Sequence, residues 1–81
     1  MAVEYSCYNF AQNEFLGFID SKPNVGDYIR IHRLGKGMWS YKVYSVELIY
    51  DRPSNLNKHF LENVRIDLTH GTCMWKEEDI P

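Results

Sequence analysis

Eighty-one residues are enough for one domain and too few to divide, and 25% charged side chains with a mean hydropathy of −0.44 describe a water-soluble globule rather than a disordered or membrane-embedded chain. No apolar run approaches the roughly 20 residues of a membrane helix, no basic-then-apolar leader opens Met1-Ala2-Val3-Glu4-Tyr5, and Cys7 and Cys73 are too few for a disulfide framework, so a reducing, cytoplasmic setting is expected. The net charge of −2 argues against general attraction to nucleic acid.

The dominant sequence period is two. Val3 to Phe10 alternates, with Val3, Tyr5 and Cys7 on one side and Ser6, Tyr8 and Phe10 on the other. Ala11-Gln12-Asn13 is turn-like, and Glu14 to Ile19 returns as a second strand in which Gly17 predicts a bulge or a close backbone crossing. After the turn cluster Ser21-Lys22-Pro23-Asn24, the stretch Tyr28 to Leu34 sets Ile29 and Ile31 against Tyr28, Arg30 and His32, the pattern of a half-buried strand. Gly35-Lys36-Gly37 then supplies a tight hairpin.

Met38 to Tyr50 is long and rich in Tyr and Val, and its phase slips. Tyr41 and Val43 share one parity, whereas Val46, Leu48 and Tyr50 share the other, which predicts a bulge near Tyr44-Ser45. Asp51-Arg52-Pro53-Ser54-Asn55 breaks the pattern, and Ser54 is placed to cap a short helical turn over residues 54–61 through Leu56 and Phe60, against poor helix formers at Asn55 and Asn57. Val64 to Thr69 is a final strand. His70-Gly71-Thr72 is expected to turn the chain, Cys73-Met74-Trp75 to pair briefly, and Lys76-Glu77-Glu78-Asp79 to fray into water.

Five to six short strands with a glycine bulge and one bent long strand predict a mostly β fold, a small antiparallel barrel occupying residues 1–81. Aromatic residues, 15% of the chain, compensate for a thin core, because each buried ring removes roughly 150–250 Å² from water. Val25-Gly26-Asp27-Tyr28-Ile29-Arg30-Ile31 followed by Tyr41-Lys42-Val43-Tyr44-Ser45-Val46 resembles the early strands of SH3-like barrels, over about a third of the chain. The resemblance implies an architecture, not an activity.

Charge is segregated along the chain. Residues 22–42 carry Lys22, Arg30, Arg33, Lys36 and Lys42 against Asp27, between acidic flanks that include Glu4, Glu14 and Asp20 before them and Glu77, Glu78 and Asp79 after them. The cations are interleaved with rings, and the candidate partner-binding set is Tyr28, Arg30, His32, Arg33, Lys36, Trp39, Lys42 and Tyr44. Trp, Tyr and Arg are the residues that carry protein-binding energy, and the expected contact core is Tyr28, Arg30, Trp39 and Lys42. The same residues also make a stacking and phosphate platform for single-stranded nucleic acid, with Arg33 and Lys36 on phosphates. A third reading is an ordinary solvated sheet face.

Catalytic and metal chemistry find little support. His70 and Cys73 are three apart at a presumed turn and form half a zinc motif, with Cys7 and His59 as distant partners, whereas zinc sites usually carry two paired motifs. The plainer expectation is a packed Cys7 and a partly exposed Cys73. No nucleophile elbow or phosphate-cradling glycine loop occurs. No enzyme, cofactor or metal is therefore expected. The sequence points to a small interaction module that covers a surface of a larger protein, a profile shared with accessory proteins and inhibitors of phages and mobile elements. Nucleic-acid binding is the alternative, and exposed edge strands make a homodimer a further expectation. Trp75 beside the acidic tail offers a second surface for a basic groove, or a soluble end.

Overall fold

The computed structural model describes residues 3–51 and 57–77. Five strands, β1 (Glu4–Asn9), β2 (Glu14–Ile19), β3 (Tyr28–Arg33), β4 (Gly37–Asp51) and β5 (Phe60–Trp75), form one sheet in the order β2-β1-β5-β4-β3. Neighbours are antiparallel except β1 and β5, which run parallel with Glu4 beside Asn63 and Asn9 beside Leu68. The expected all-antiparallel barrel is thus corrected to a mixed, curled half-barrel. Alternation fixes which side of a strand faces inward but not which way its neighbour runs, so the period-two pattern could not distinguish the two.

The sheet curls until its two edge strands approach. Arg33 at the end of β3 donates from Nη2 to Glu14 Oε1 at the start of β2 (2.7 Å), and from Nη1 to the Tyr41 hydroxyl (3.3 Å). No ladder joins β2 to β3, so this end of the barrel is closed by side chains. The inner face holds Cys7, Tyr41, Val43, Val64, Ile66 and Leu68, all essentially inaccessible, with Tyr5, Leu16, Ile19, Ile29, Ile31, Trp39 and Val46 packed around them. Three of the six come from β5, the strand shared by both halves of the sheet.

Bulges set the curvature. The β1–β2 register shifts between Cys7 and Tyr8, opposite Gly17 and Phe15, so Leu16 turns inward while Phe15 and Phe18 stay outward. The β4–β5 register shifts between Val43 and Ser45, the site of the parity slip, and places both Val43 and Val46 on the core side. A third shift corrects the expected turn at His70-Gly71-Thr72. There Ser40 pairs with Thr72 and Lys42 with Thr69, so β5 continues through a bulge with His70 at φ 56°. Gly71 is needed at that point because a Cβ would lie 2.7 Å from Cε1 of Tyr41. A ring packed on the strand, rather than a change of chain direction, accounts for the glycine.

Two further expectations are revised. Phe60 and Leu61 belong to β5 and not to a helical turn, while residues 54–56 of that expected turn lie outside the described residues. Glu77 does not fray: its carboxylate accepts from the Gly35 backbone N–H and lies 3.5 Å from His32 Nε2. Glu78 and Asp79 lie outside the described residues.

Candidate interaction surface

The β3–β4 hairpin forms as its sequence dictates. Tyr28, Arg30 and His32 alternate outward against half-buried Ile29, Ile31 and Arg33, and Gly35 and Gly37 take φ of 78° and 96° at the reversal. Cross-strand pairing sets Tyr28 opposite Lys42, Arg30 opposite Ser40 and His32 opposite Met38. Tyr28, Arg30, His32 and Lys42 therefore share the outer side, with the Lys42 ammonium 5.8 Å from the Tyr28 ring centre and the His32 ring 5.6 Å from that of Trp75.

Of the other four predicted residues, Arg33, Trp39 and Lys36 lie off this side, and Tyr44 continues it along β4. Arg33 has the parity of Ile29 and Ile31 and turns inward to the barrel mouth, where its guanidinium lies 5.6 Å from the Trp39 ring and pairs with Glu14. Trp39 lies partly buried on the core side, stacked on Tyr41 at 6.5 Å, and donates from Nε1 to the Lys36 carbonyl. Lys36 sits in the turn, 3.9 Å from Glu14, beside a shallow hollow of about 230 Å³ lined by Gly35, Lys36, Trp39, Lys76 and Glu77. Tyr44 projects from the β4 bulge against Phe10, ring centres 4.8 Å apart.

The basic block is thus partly neutralised by an acidic segment that flanks it in sequence, through Glu14, which pairs with Arg33 and lies 3.9 Å from Lys36. Apposed charges of opposite sign reduce the field a phosphate would meet.

The sequence reading missed the other half of the outer face. Tyr8, Phe15 and Phe18 form one ring cluster there, with centres 5.4 and 5.2 Å apart. The Arg65 guanidinium lies 4.0 Å from the Tyr8 ring centre, within cation–π range. It is held in place by donation from Nε to Asp67 Oδ1 (3.1 Å) and from Nη2 to Asn13 Oδ1 (2.6 Å), and Asp67 also accepts from Ser45 Oγ (3.0 Å). A fixed polar row across the central strand is therefore bracketed by Tyr8-Phe15-Phe18 on one side and by Phe10-Tyr44 on the other. Beyond Tyr44 the register leads through Lys42 to Tyr28. Phe10, Phe15, Phe18, Tyr28 and Tyr44 are each between 49% and 72% exposed. A signal was present in the sequence: Tyr8 and Phe10 alternate with Tyr5 and Cys7, so β1 carries large apolar groups on both sides, and a single-layer sheet can cover only one.

Titration within the body follows burial. The Cys7 thiol is pushed up to about 11 by desolvation, which disfavours a reactive thiolate. The Tyr41 phenol is raised by burial, opposed by the Arg33 charge and hydrogen bond. Among the described residues no three His, Cys, Asp or Glu side chains gather as a metal site would require, and no helix is long and apolar enough to cross a membrane. No protein-family model, curated protein or solved structure matches this chain.

Proposed function

We propose that this protein is a non-enzymatic β-sheet recognition module that docks its outer face onto a larger protein. One observation carries the reading: five aromatic side chains about half exposed or more lie on one face of the sheet, which also carries an arginine immobilised by Asp67, Asn13 and Tyr8. Clustered exposed apolar area around fixed polar groups is the composition of interface centres, and rigid aromatics lose little conformational freedom on binding. The contact set extends the hairpin residues Tyr28, Arg30 and Lys42 to Phe10, Tyr44, Tyr8, Phe15, Phe18 and Arg65. Inhibition, by covering a partner's working surface, is a form of the same reading. The β3–β4 hairpin with its bent second strand supports an SH3-like plan for that part of the sheet.

The test compares affinity capture by the wild-type protein, by Phe15→Ser/Phe18→Ser, and by Leu34→Ala as a control outside the face. A protein retained by the wild type and the control but lost with the double variant supports the reading. Equal retention by all three removes the face from consideration. Titration with short RNA and DNA at two salt concentrations addresses the alternative: tight binding that weakens steeply with salt would assign the face to nucleic acid instead.

A further inference from the structure

We propose that Arg30 and Lys42 form a seat for a short acidic segment of the partner protein, one that presents two carboxylates at alternate positions of an extended chain. This rests on the outer-face reading and names the chemistry of what docks there. Both side chains are exposed on the outer side of the β3–β4 hairpin, on adjacent strands. The register sets Lys42 opposite Tyr28 and Arg30 opposite Ser40, which makes the two cations diagonal neighbours about 7–8 Å apart. Carboxylates two residues apart in an extended segment are separated by about 6.5–7 Å, so one can lie on each cation.

The chain does not neutralise this pair. Arg33 pairs with Glu14, Lys36 lies 3.9 Å from the same carboxylate, and Arg65 pairs with Asp67. Among the described residues no acid lies within ion-pair reach of Arg30 or Lys42. Across the strands Lys42 faces Tyr28 and Thr69, Arg30 faces Ser40, and Ser40 faces Thr72, all uncharged. Asp27, just before β3, accepts from the Asn24 backbone N–H (2.9 Å), and Glu77, beside His32, accepts from that of Gly35. Lys22 and Lys58 likewise lack an acid within reach, but each stands alone, Lys22 in the turn after β2 and Lys58 over the Phe60 ring at 5.4 Å. Two like charges held side by side by a ladder repel each other, and anions placed on them relieve both.

The surroundings select the occupant. β3 is the last strand of the sheet, so Arg30 has a neighbouring strand on one flank alone. Tyr28 and Tyr44, both more than half exposed, flank the seat and offer apolar contact beside the charges. Charge and rings together suit a segment in which Asp or Glu alternates with apolar residues. A phosphate backbone suits the seat less well, because it carries a charge at every nucleotide and gains affinity from a row of cations. Extended beyond two contacts, it would run onto Glu77 beside His32 in one direction or Glu47 farther along β4 in the other, on a chain of net charge −2.

Fluorescence anisotropy of the full chain with a labelled peptide of about ten residues, glutamate alternating with valine, tests this at low ionic strength. The wild type is expected to bind this peptide at least about tenfold more tightly than a counterpart with lysine in place of glutamate. Arg30→Gln/Lys42→Gln should raise the dissociation constant about tenfold, whereas Lys22→Gln/Lys58→Gln, equal in charge, should leave it unchanged. All four side chains are exposed, so neither variant opens the core. Absence of binding, equal affinity for the two peptides, or an equal loss in the two variants overturns the proposal. So does a short single-stranded DNA that binds more tightly than the peptide and depends on the same two cations, which would assign the seat to phosphate. Phe15→Ser/Phe18→Ser should bind the peptide as the wild type does. If the peptide fails to bind while that variant still loses its captured protein, the seat falls and the outer-face reading stands. If the peptide binds through Arg30 and Lys42 while capture is indifferent to Phe15 and Phe18, the seat stands and the wider face falls.

Discussion

The two faces of the sheet are similarly rich in large apolar groups, yet one is sealed and the other is open. On the inner face, Cys7, Tyr41, Val43, Val64, Ile66 and Leu68 are almost wholly withdrawn from water. On the outer face, Phe10, Phe15, Phe18, Tyr28 and Tyr44 keep about half or more of their area in it. At roughly 25 cal/mol per Å², the first set supplies the folding free energy while the second leaves a comparable gain unrealised until something covers it. In a chain of this length one layer can curl over its own side chains once. Apolar residues on the opposite side are then available to a partner.

Substitutions on the two faces should therefore separate stability from binding. The largest effect is expected for Ile66→Ala, in the middle of the shared strand, where the lost methyl groups and the cavity left behind should cost about 2–5 kcal/mol by chemical denaturation. That is a large share of what a domain this small has to lose. A loss near zero would mean that β5 is not the centre of the core.

Alkaline pH should have a smaller effect on the same face. Burial raises the folded pKa of Cys7 to about 11 from its ordinary 9.0. Its neutral form is favoured in the folded state, so the stabilisation is intact below pH 9 and is lost as pH rises from 9 to 11. Two pKa units correspond to about 2.7 kcal/mol at most, and the raised Tyr41 phenol acts in the same direction at higher pH. Denaturation midpoints measured across that window should fall, and Cys7→Ala should flatten the decline between pH 9 and 11.

The smallest change in stability belongs to the outer face. Phe15→Ser/Phe18→Ser should alter it by less than about 1 kcal/mol, because the rings are already half in water and only their mutual contacts are lost. The same variant should reduce fluorescence enhancement of a hydrophobic dye. An unfolded double variant would show that these rings are structural.

Much of this division could be read from alternation alone. The β4 bulge followed from Tyr41 and Val43 disagreeing in parity with Val46 and Leu48, and the β2 bulge from Gly17 inside an apolar run. The same rule already placed Arg33 and Trp39 inward, with Ile31 and Tyr41. Nearness in sequence groups them with the basic hairpin, but distance along the chain is a poor guide to side in a strand. Strand direction was not legible, since β1 and β5 meet across more than fifty positions and parallel and antiparallel ladders carry the same period. Nor was the Arg65-Asp67-Asn13 row, which depends on that pairing and on the Asn13 turn. Gly71 signalled a close approach as readily as a turn, and only the Tyr41 ring decides between them.

The claim that the outer face is where this protein meets its partner is tested most directly by site-specific photocrosslinking in cells, with a photoreactive phenylalanine analogue at Phe15 or at Leu34. Leu34 is 91% exposed and Phe15 only 49%, so random encounters would favour Leu34. A discrete protein adduct at Phe15 that is absent at Leu34 is the predicted result. Adducts at Leu34 with none at Phe15, or none at either position, would contradict it.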